Sequence, residues 1–125
     1  MKLAQIQMHV TADKTANLRH AEELLRSVRG ADMAILPEMF CCPYDNSCFR
    51  AYGEPAGGAA YQMLSRTARE LGLWLVGGSL PELEAGRVYN TSFVFDPQGA
   101  CVARHRKMHL FDIDVEGGQR FRESD

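Results

Sequence analysis

At residues 33–38 the chain reads Met33-Ala34-Ile35-Leu36-Pro37-Glu38, a short apolar run that ends in a carboxylate. A continuous apolar run of this length is typical of a strand buried on both faces. Catalytic groups in α/β proteins tend to lie just beyond the ends of such strands. The stretch therefore predicts a buried strand and, at its end, a functional carboxylate, Glu38.

The sequence before this strand predicts a β-α-β unit. Residues 2–10 alternate between polar and apolar side chains, which favours a first strand. Thr11 or Asp13 can then cap a helix, and Gly30 is well placed to end it. The apolar residues of that helix recur with the 3.6-residue period: Leu18, Ala21, Leu24, Leu25 and Val28.

The sequence after Glu38 predicts a loop, a second helix and a third buried strand. Residues 40–58 are rich in Cys, Pro, Asp, Asn and Gly without a clear period, which indicates a long loop. Helical spacing then runs from Ala60 to Leu71 and stops at Gly72, and Leu73-Trp74-Leu75-Val76 is typical of a buried strand. Gly77-Gly78 comes next, as the exit from this strand.

The last third of the chain predicts an antiparallel hairpin. Two β-rich runs, Val88 to Phe95 and Ala100 to Arg106, are joined by Asp96-Pro97-Gln98-Gly99, a sequence that suits a type I turn. The fold class is therefore α/β, with a mixed sheet and two helices on one face. Strands that are apolar on both sides need a layer on each face, so the second face is expected to lack its partner layer.

Composition excludes several classes of function. With 125 residues, 46% of them hydrophobic, the chain is one domain at most, and a net charge of -2 gives no general attraction for nucleic acid or anionic lipid. No stretch predicts a signal peptide or a membrane span, so we expect a cytoplasmic location. The four cysteines are expected to be thiols, because no secretion signal accompanies them and their spacing is not that of a zinc site. No cofactor and no metal are expected.

Lys107 ends the second strand of the hairpin and is the second candidate functional residue. The two-residue period of a strand places it on the face of Cys101, Ala103 and His105, away from Arg104 and Arg106. A lysine among small, mostly apolar side chains is partly desolvated and needs a carboxylate nearby, for which Glu38 is the natural candidate. A structural ion pair, or two unrelated solvated residues, is the alternative.

Four motifs together carry a resemblance to a known family. They are Ile35-Leu36-Pro37-Glu38-Met39-Phe40, Gly77-Gly78-Ser79-Leu80-Pro81-Glu82, Tyr89-Asn90-Thr91-Ser92 and Arg106-Lys107-Met108-His109-Leu110-Phe111-Asp112. They resemble the nitrilase, or carbon-nitrogen hydrolase, superfamily, collinearly from Met1 to Asp125. The stretches Lys107 to Val115 and Phe121 to Ser124 are most similar to its ω-amidase branch, whose members act on monoamides of dicarboxylic acids.

The resemblance implies a fold, a reaction and a set of site residues. The fold would be half of an α/β/β/α sandwich, with residues 1–125 as the N-terminal, truncated part of a single carbon-nitrogen hydrolase domain. Glu38 would be the general base, Lys107 the lysine on the oxyanion side, Glu123 a supporting acid and Tyr44 a contact for the distal carboxylate of a small amide substrate. The nucleophilic cysteine of the Glu-Lys-Cys triad would lie beyond this chain, since none of its own cysteines matches that position.

Two other functions stay open at this point. The chain can be a truncated, non-catalytic interaction module that binds a partner or a second copy through its uncovered sheet face, and a homo-oligomer is expected in any case. It can also be a small phosphate- or nucleotide-binding α/β domain. The second alternative requires a glycine-rich turn that leads straight into a helix, and neither the first nor the third strand is followed by one.

Overall fold

A computed structural model describes residues 1–117 and 120–123. Its elements are the strands β1 (Leu3–Gln5), β2 (Met33–Ile35), β3 (Trp74–Val76), β4 (Leu80–Glu84), β5 (Arg87–Phe95), β6 (Cys101–Arg106), β7 (Asp112–Asp114) and β8 (Arg120–Arg122), and the helices α1 (Lys14–Ser27), α2 (Asn46–Tyr52) and α3 (Ala59–Leu71). No helix in these residues is both long and apolar enough to cross a membrane.

The main sheet is mixed, as the sequence predicts. Strands β1, β2 and β3 pair in parallel, whereas β5 pairs antiparallel with β3, β4 and β6. Phe95 pairs with β3 and Thr91 with β4, and both residues also pair with β6, so β3 and β4 succeed one another along the same edge of β5. Strands β7 and β8 form a separate hairpin.

Helices α1 and α3 cover one face of the sheet, which confirms the predicted placement of two helices. Their apolar stripes share one core with alternate residues of the strands, among them Ala34 and Leu75. Asp13 caps α1 by accepting a hydrogen bond from Ala16 N, and Gly72 ends α3 in the left-handed conformation. On the opposite face, Leu3 and Trp74 are exposed. The prediction of an uncovered sheet face therefore holds over β1 to β3.

Three parts of the chain differ from the sequence prediction. The segment 40–58 is predicted to be a loop, but it contains α2, a helix in addition to the two that were predicted. Asp45 caps α2, and Phe49 of α2 is buried together with Met39 and Cys42. Gly77-Gly78 leads out of β3 as expected, but from Leu80 the chain forms β4, a strand that the sequence did not predict. Strand β1 is also shorter than the alternating run of residues 2–10.

Candidate active site

Three distant segments of the chain bring their charged side chains together at one end of the sheet. Glu38 lies beyond β2, Lys107 beyond β6 and Glu123 beyond β8. The Lys107 Nζ donates hydrogen bonds to Glu38 Oε1 and to Glu123 Oε2, both at 2.9 Å. These residues, together with Tyr44 and Asn90, form the cluster that we term the Glu38 cluster.

The turn that aims Glu38 is held by the segment that leads into β4. Met39 has a φ of 51°, a left-handed backbone conformation that residues other than glycine rarely adopt. Its N–H donates to Ser79 Oγ at 3.0 Å. A Cβ at Gly78 would overlap the Pro37 carbonyl oxygen, so the two segments can approach this closely only with glycine at position 78. The Gly77-Gly78-Ser79 motif therefore positions Glu38, and the Glu38 side chain stays 49% exposed.

Lys107 is fixed from its backbone outward. Its N–H donates to the Asn90 carbonyl at 2.9 Å, which continues the pairing of β5 and β6 by one residue. The Lys107 side chain is 29% exposed. Burial by itself lowers the pKa of Lys107, but the hydrogen bonds to Glu38 and Glu123 outweigh it and raise the pKa above its ordinary value. The lysine is therefore a fixed cation at neutral pH.

Asn90 joins the two carboxylates and was missed as a site residue by the sequence analysis. Its Nδ2 donates to Glu38 Oε1 at 2.8 Å and to Glu123 Oε1 at 2.7 Å. Asparagine is depleted in strands, so a buried one in the middle of β5 is a signal that could have drawn attention to it. The side chain orients both carboxylates without adding a charge.

Glu123 is the most enclosed of the charged groups, with a side chain 2% exposed. One of its oxygens accepts from Asn90, and Oε2 accepts from Lys107, from the Tyr44 hydroxyl at 3.0 Å and from Phe111 N at 2.7 Å. Burial raises the pKa of Glu123, but these hydrogen bonds outweigh it and lower the pKa. Glu123 is therefore an ionised, fully engaged carboxylate.

Tyr44 lies beside Lys107 and Glu123. Its hydroxyl donates to Glu123 and accepts from Lys107 Nζ at 3.2 Å, and its ring stacks on Phe121 with the centroids 5.4 Å apart. Burial raises the pKa of this hydroxyl, so it stays neutral. The structure thus brings together all four residues that the sequence singled out, and their chemical roles stay predictions.

The cysteines lie apart from this cluster in the hydrogen-bond network of the described residues. Cys41 and Cys42 are buried, and burial raises the pKa of each thiol to about 12. Cys48 is half-buried on α2 and Cys101 is exposed on β6. A thiol with so high a pKa is protonated at neutral pH, so neither Cys41 nor Cys42 is a ready nucleophile.

Two cavities meet at the Glu38 cluster. The front cavity, of about 370 Å³, opens over the uncovered sheet face and is lined in part by Ile35, Glu38, Val76, Asn90, Ser92 and Lys107. The rear cavity, of about 470 Å³, lies between α2, the turn before β5 and the cluster, and its lining includes Phe49, Arg50, Arg87, Asn90, Lys107 and Glu123. Asn90 and Lys107 are common to both linings.

The chain is similar to known proteins of the carbon-nitrogen hydrolase family. Residues 2–125 match the model of the carbon-nitrogen hydrolase family. The chain is 46% identical over 126 residues to omega-amidase NIT2 of Danio rerio and 46% identical over 125 residues to omega-amidase NIT2 of Mus musculus. These alignments cover 99% and 98% of this chain but 46% and 45% of the relatives, so the chain spans about half the length of the curated relatives it matches.

Solved structures give the same result for the fold. Nit3 of Saccharomyces cerevisiae, a member of branch 10 of the nitrilase superfamily, matches 88% of this chain and 45% of its own with a TM-score of 0.79 at 34% identity. A CN-hydrolase superfamily protein of Xanthomonas campestris matches 87% of this chain and 41% of its own with a TM-score of 0.80 at 26% identity. The resemblance inferred from the sequence motifs is confirmed, and this chain belongs to the carbon-nitrogen hydrolase family.

Proposed function

We propose that residues 1–125 supply the general base, the lysine and the supporting carboxylate of a hydrolase that cleaves the amide of a small dicarboxylate monoamide. The observation that carries this proposal is the Glu38 cluster, in which Lys107 Nζ contacts both carboxylates at 2.9 Å beside the front cavity. The name of the relatives, omega-amidase, supports the choice of an amide substrate. No cofactor and no metal enter the proposed reaction.

In the first half of the reaction a thiol attacks the amide carbonyl carbon. Glu38 takes the thiol proton as the C–S bond forms, and Lys107 stabilises the negative charge on the carbonyl oxygen. The C–N bond then breaks, the protonated Glu38 gives its proton to the leaving nitrogen, and ammonia departs from a thioester. Glu38 is suited to this transfer because its side chain is half-exposed at the front cavity.

In the second half a water molecule replaces the thiol. Glu38 removes a proton from the water as the oxygen attacks the thioester carbonyl, and Lys107 again stabilises the oxyanion. The C–S bond breaks, the thiol takes back its proton, and the carboxylic acid leaves. Throughout, Glu123 and Asn90 hold Lys107 and Glu38 in place through their hydrogen bonds.

The nucleophilic thiol is proposed to come from outside residues 1–125. Cys41 and Cys42 are poor candidates because burial keeps their thiols protonated. The exposed Sγ of Cys101 donates to the carbonyl of Ala103 on its own strand and has no contact with Glu38 or Lys107 among the described residues. The front cavity opens on the sheet face that the helices leave uncovered, and a thiol can reach Glu38 from that side.

Ammonia release from succinamate and 2-oxoglutaramate tests the function. The 125-residue chain is compared with a version extended in frame to the length of the relatives, and Glu38→Gln in the extended version is the control for the base. We expect turnover by the extended protein, little or none by the short chain, and a large loss in the Glu38 variant. Turnover by the short chain that survives replacement of all four cysteines by serine would refute the thiol mechanism.

A second candidate function is association through the uncovered face of β1 to β3. The exposure of Leu3 and Trp74 on that face favours it, because contiguous apolar surface on proteins usually binds a partner. The partner is a second copy of the chain, which gives a homo-oligomer. Sedimentation of the 125-residue chain over a wide range of concentration is the test, and a monomer at the highest concentration contradicts it.

The cytoplasmic location stays a prediction.

A further inference from the structure

Glu54 is a buried carboxylate that the proposed reaction does not use. It lies two residues after the end of α2, and its side chain is 9% exposed. Both of its oxygens are engaged: Oε2 accepts a hydrogen bond from Lys14 Nζ at 2.7 Å, and Oε1 accepts from Ala60 N at 2.7 Å and from Tyr61 N at 3.3 Å. A carboxylate this buried needs such partners to compensate for the loss of water, so these contacts fix its position.

Through its side chain Glu54 joins three helices. Lys14 is the first residue of α1, and its Nζ also donates to the carbonyl of Tyr52, the last residue of α2, at 2.7 Å. The two N–H groups that bind Oε1 belong to the first turn of α3, whose N-cap, Gly58, has no side chain to accept from them. Glu54 therefore caps α3, while the ammonium group of Lys14 ties α1 to the end of α2.

The backbone of Glu54 adds a fourth element, β4. The Glu54 carbonyl accepts a hydrogen bond from Leu83 N at 2.8 Å. At the other end of the same segment, Met39 N donates to Ser79 Oγ, immediately before β4. Residues 40–53, which we term the α2 loop, are therefore held at both ends by neighbouring residues of one segment.

The α2 loop carries Tyr44 of the Glu38 cluster. The Tyr44 ring packs edge-on against Phe49, with the centroids 5.6 Å apart, and Phe49 is buried one turn before the Tyr52 carbonyl that Lys14 binds. The Tyr44 hydroxyl reaches a carboxylate and the ammonium group of the cluster at 3.0 and 3.2 Å. Hydrogen bonds are lost beyond about 3.5 Å, so a shift of the loop by about 1 Å would remove both contacts.

We propose that Lys14 and Glu54 are positioning residues of the candidate active site, which act through α2 to hold Tyr44 against Lys107 and Glu123. The inference rests on the proposed function, because only an active site gives the placement of Tyr44 a kinetic consequence. The contacts of Lys14 and Glu54 are with the fold and not with either cavity. Removal of Lys14 leaves the buried carboxylate of Glu54 without its ion-pair partner and frees the end of α2.

A double-mutant cycle in the extended protein tests whether Lys14 acts through Tyr44. The value of kcat/KM for succinamate is measured in the parent, in Tyr44→Phe, in Lys14→Met and in the double variant. We expect Tyr44→Phe to lower kcat/KM about tenfold in the parent, because two hydrogen bonds to charged groups are lost, but about twofold or less in the Lys14→Met background, where the hydroxyl is already displaced. Lys14→Arg keeps a cation at this position and should recover part of the effect.

Arg26→Met is the matched control, because Arg26 is another cation of α1 and pairs with Glu22 and Glu70, away from the α2 loop. In that background Tyr44→Phe should keep its full effect. Additive losses in the cycle of Lys14 and Tyr44 overturn the inference, since a pair that only stabilises the fold lowers activity without changing the effect of Tyr44→Phe. A thermal melt shows whether each variant is folded in the assay, and Lys14→Gln replaces Lys14→Met if that variant is not.

NMR of the 125-residue chain tests the position of Tyr44 without any turnover. With isotope-labelled tyrosine, the signal of Tyr44 is the one that disappears in Tyr44→Phe. We expect this signal to move toward that of an unstructured peptide in Lys14→Met, because the rings of Phe49 and Phe121 no longer surround it, and to stay in place in Arg26→Met. An unchanged signal overturns the inference. Absence of ammonia release from the extended parent overturns the proposed function instead, and the NMR result then decides whether Lys14 positions Tyr44.

Discussion

Two ion-pair clusters, each with both cations and carboxylates, lie on opposite faces of the β5–β6 hairpin. The Glu38 cluster uses Asn90 and Lys107 of this hairpin on the face of the front cavity. On the other face, Arg104 and Arg106 pair with Glu82 and Glu84 of β4, which we term the Glu82 cluster. The alternation of side chains along one strand thus assigns neighbouring cations to two different networks.

The two clusters differ in how closed they are. Glu82 is 1% exposed, and it is bound by Arg104 at 2.6 Å, by Arg106 at 3.1 Å and by the Thr91 hydroxyl at 2.8 Å. Glu38 in contrast is half-exposed at a cavity, with contacts on its Oε1 from Lys107 and Asn90. The Glu82 cluster has the form of a structural ion-pair network. The Glu38 cluster instead leaves room for a ligand beside Glu38, whose carboxylate can accept a proton.

Removal of one cation from each cluster should give the largest difference in activity between two variants. In the extended protein, Lys107→Met should lower kcat/KM for succinamate about 1000-fold, because the fixed charge at the developing oxyanion is lost. Arg104→Met should leave kcat/KM within about twofold, since its charge serves only the other cluster. Steady-state ammonia release, with a thermal melt of each variant, measures both effects. Equal losses in the two variants would contradict the division of roles.

Replacement of the buried carboxylate of the Glu82 cluster should act on stability instead. Glu82→Gln leaves two guanidinium groups facing a neutral amide, and we expect the free energy of unfolding to fall by about 3 kcal/mol, the low end for a broken buried pair because the arginines are partly solvated. Glu84→Gln, at a half-exposed position, is the matched control and should cost under about 1 kcal/mol. Urea denaturation gives both values. A Glu82 variant as stable as the parent would show that this cluster is not structural.

Local periodicity in the sequence was enough to predict the main elements of the fold. The predictions that depend only on neighbouring residues are those of α1, of α3 and of the β5–β6 hairpin. The same holds for the face of β6 on which Lys107 lies, opposite to that of Arg104 and Arg106. Helix α2 was missed because seven residues are too few to show a period. Strand β4 was missed because Pro81 and two glutamates are untypical of a strand, and Glu82 can be buried only where arginines of β6 neutralise it.

The candidate site was predicted in part. Glu38 and Lys107 could be paired because a desolvated lysine needs a carboxylate and both lie at the ends of strands of one sheet. An asparagine within a strand could draw attention to Asn90, but its partners could not be assigned, because they depend on Glu38 and Glu123 reaching the same point from segments 52 and 33 residues away. The rear cavity gave no signal in the sequence, since it forms only where α2 lies beside the turn before β5.

The smallest expected effect concerns the pH dependence of stability in the Glu38 cluster. The hydrogen bonds of Glu123, with that from Asn90 among them, hold its pKa below the ordinary 4.5, so its stabilising contribution is present above pH 4.5 and is lost as the pH falls through the lowered value. Asn90→Leu moves the pKa of Glu123 back upward and should cost about 2 kcal/mol at neutral pH.

This difference between Asn90→Leu and the parent should shrink as the pH is lowered below 4.5, because a protonated Glu123 no longer gains from the lost donor. Ser92→Ala is the matched control, on the same face of β5 and without a side-chain hydrogen bond to either carboxylate in the described residues, so its small cost should not vary with pH. Urea denaturation from neutral pH to below about pH 4 measures both. A constant difference for Asn90→Leu would mean that its amide fills space without stabilising the charge on Glu123.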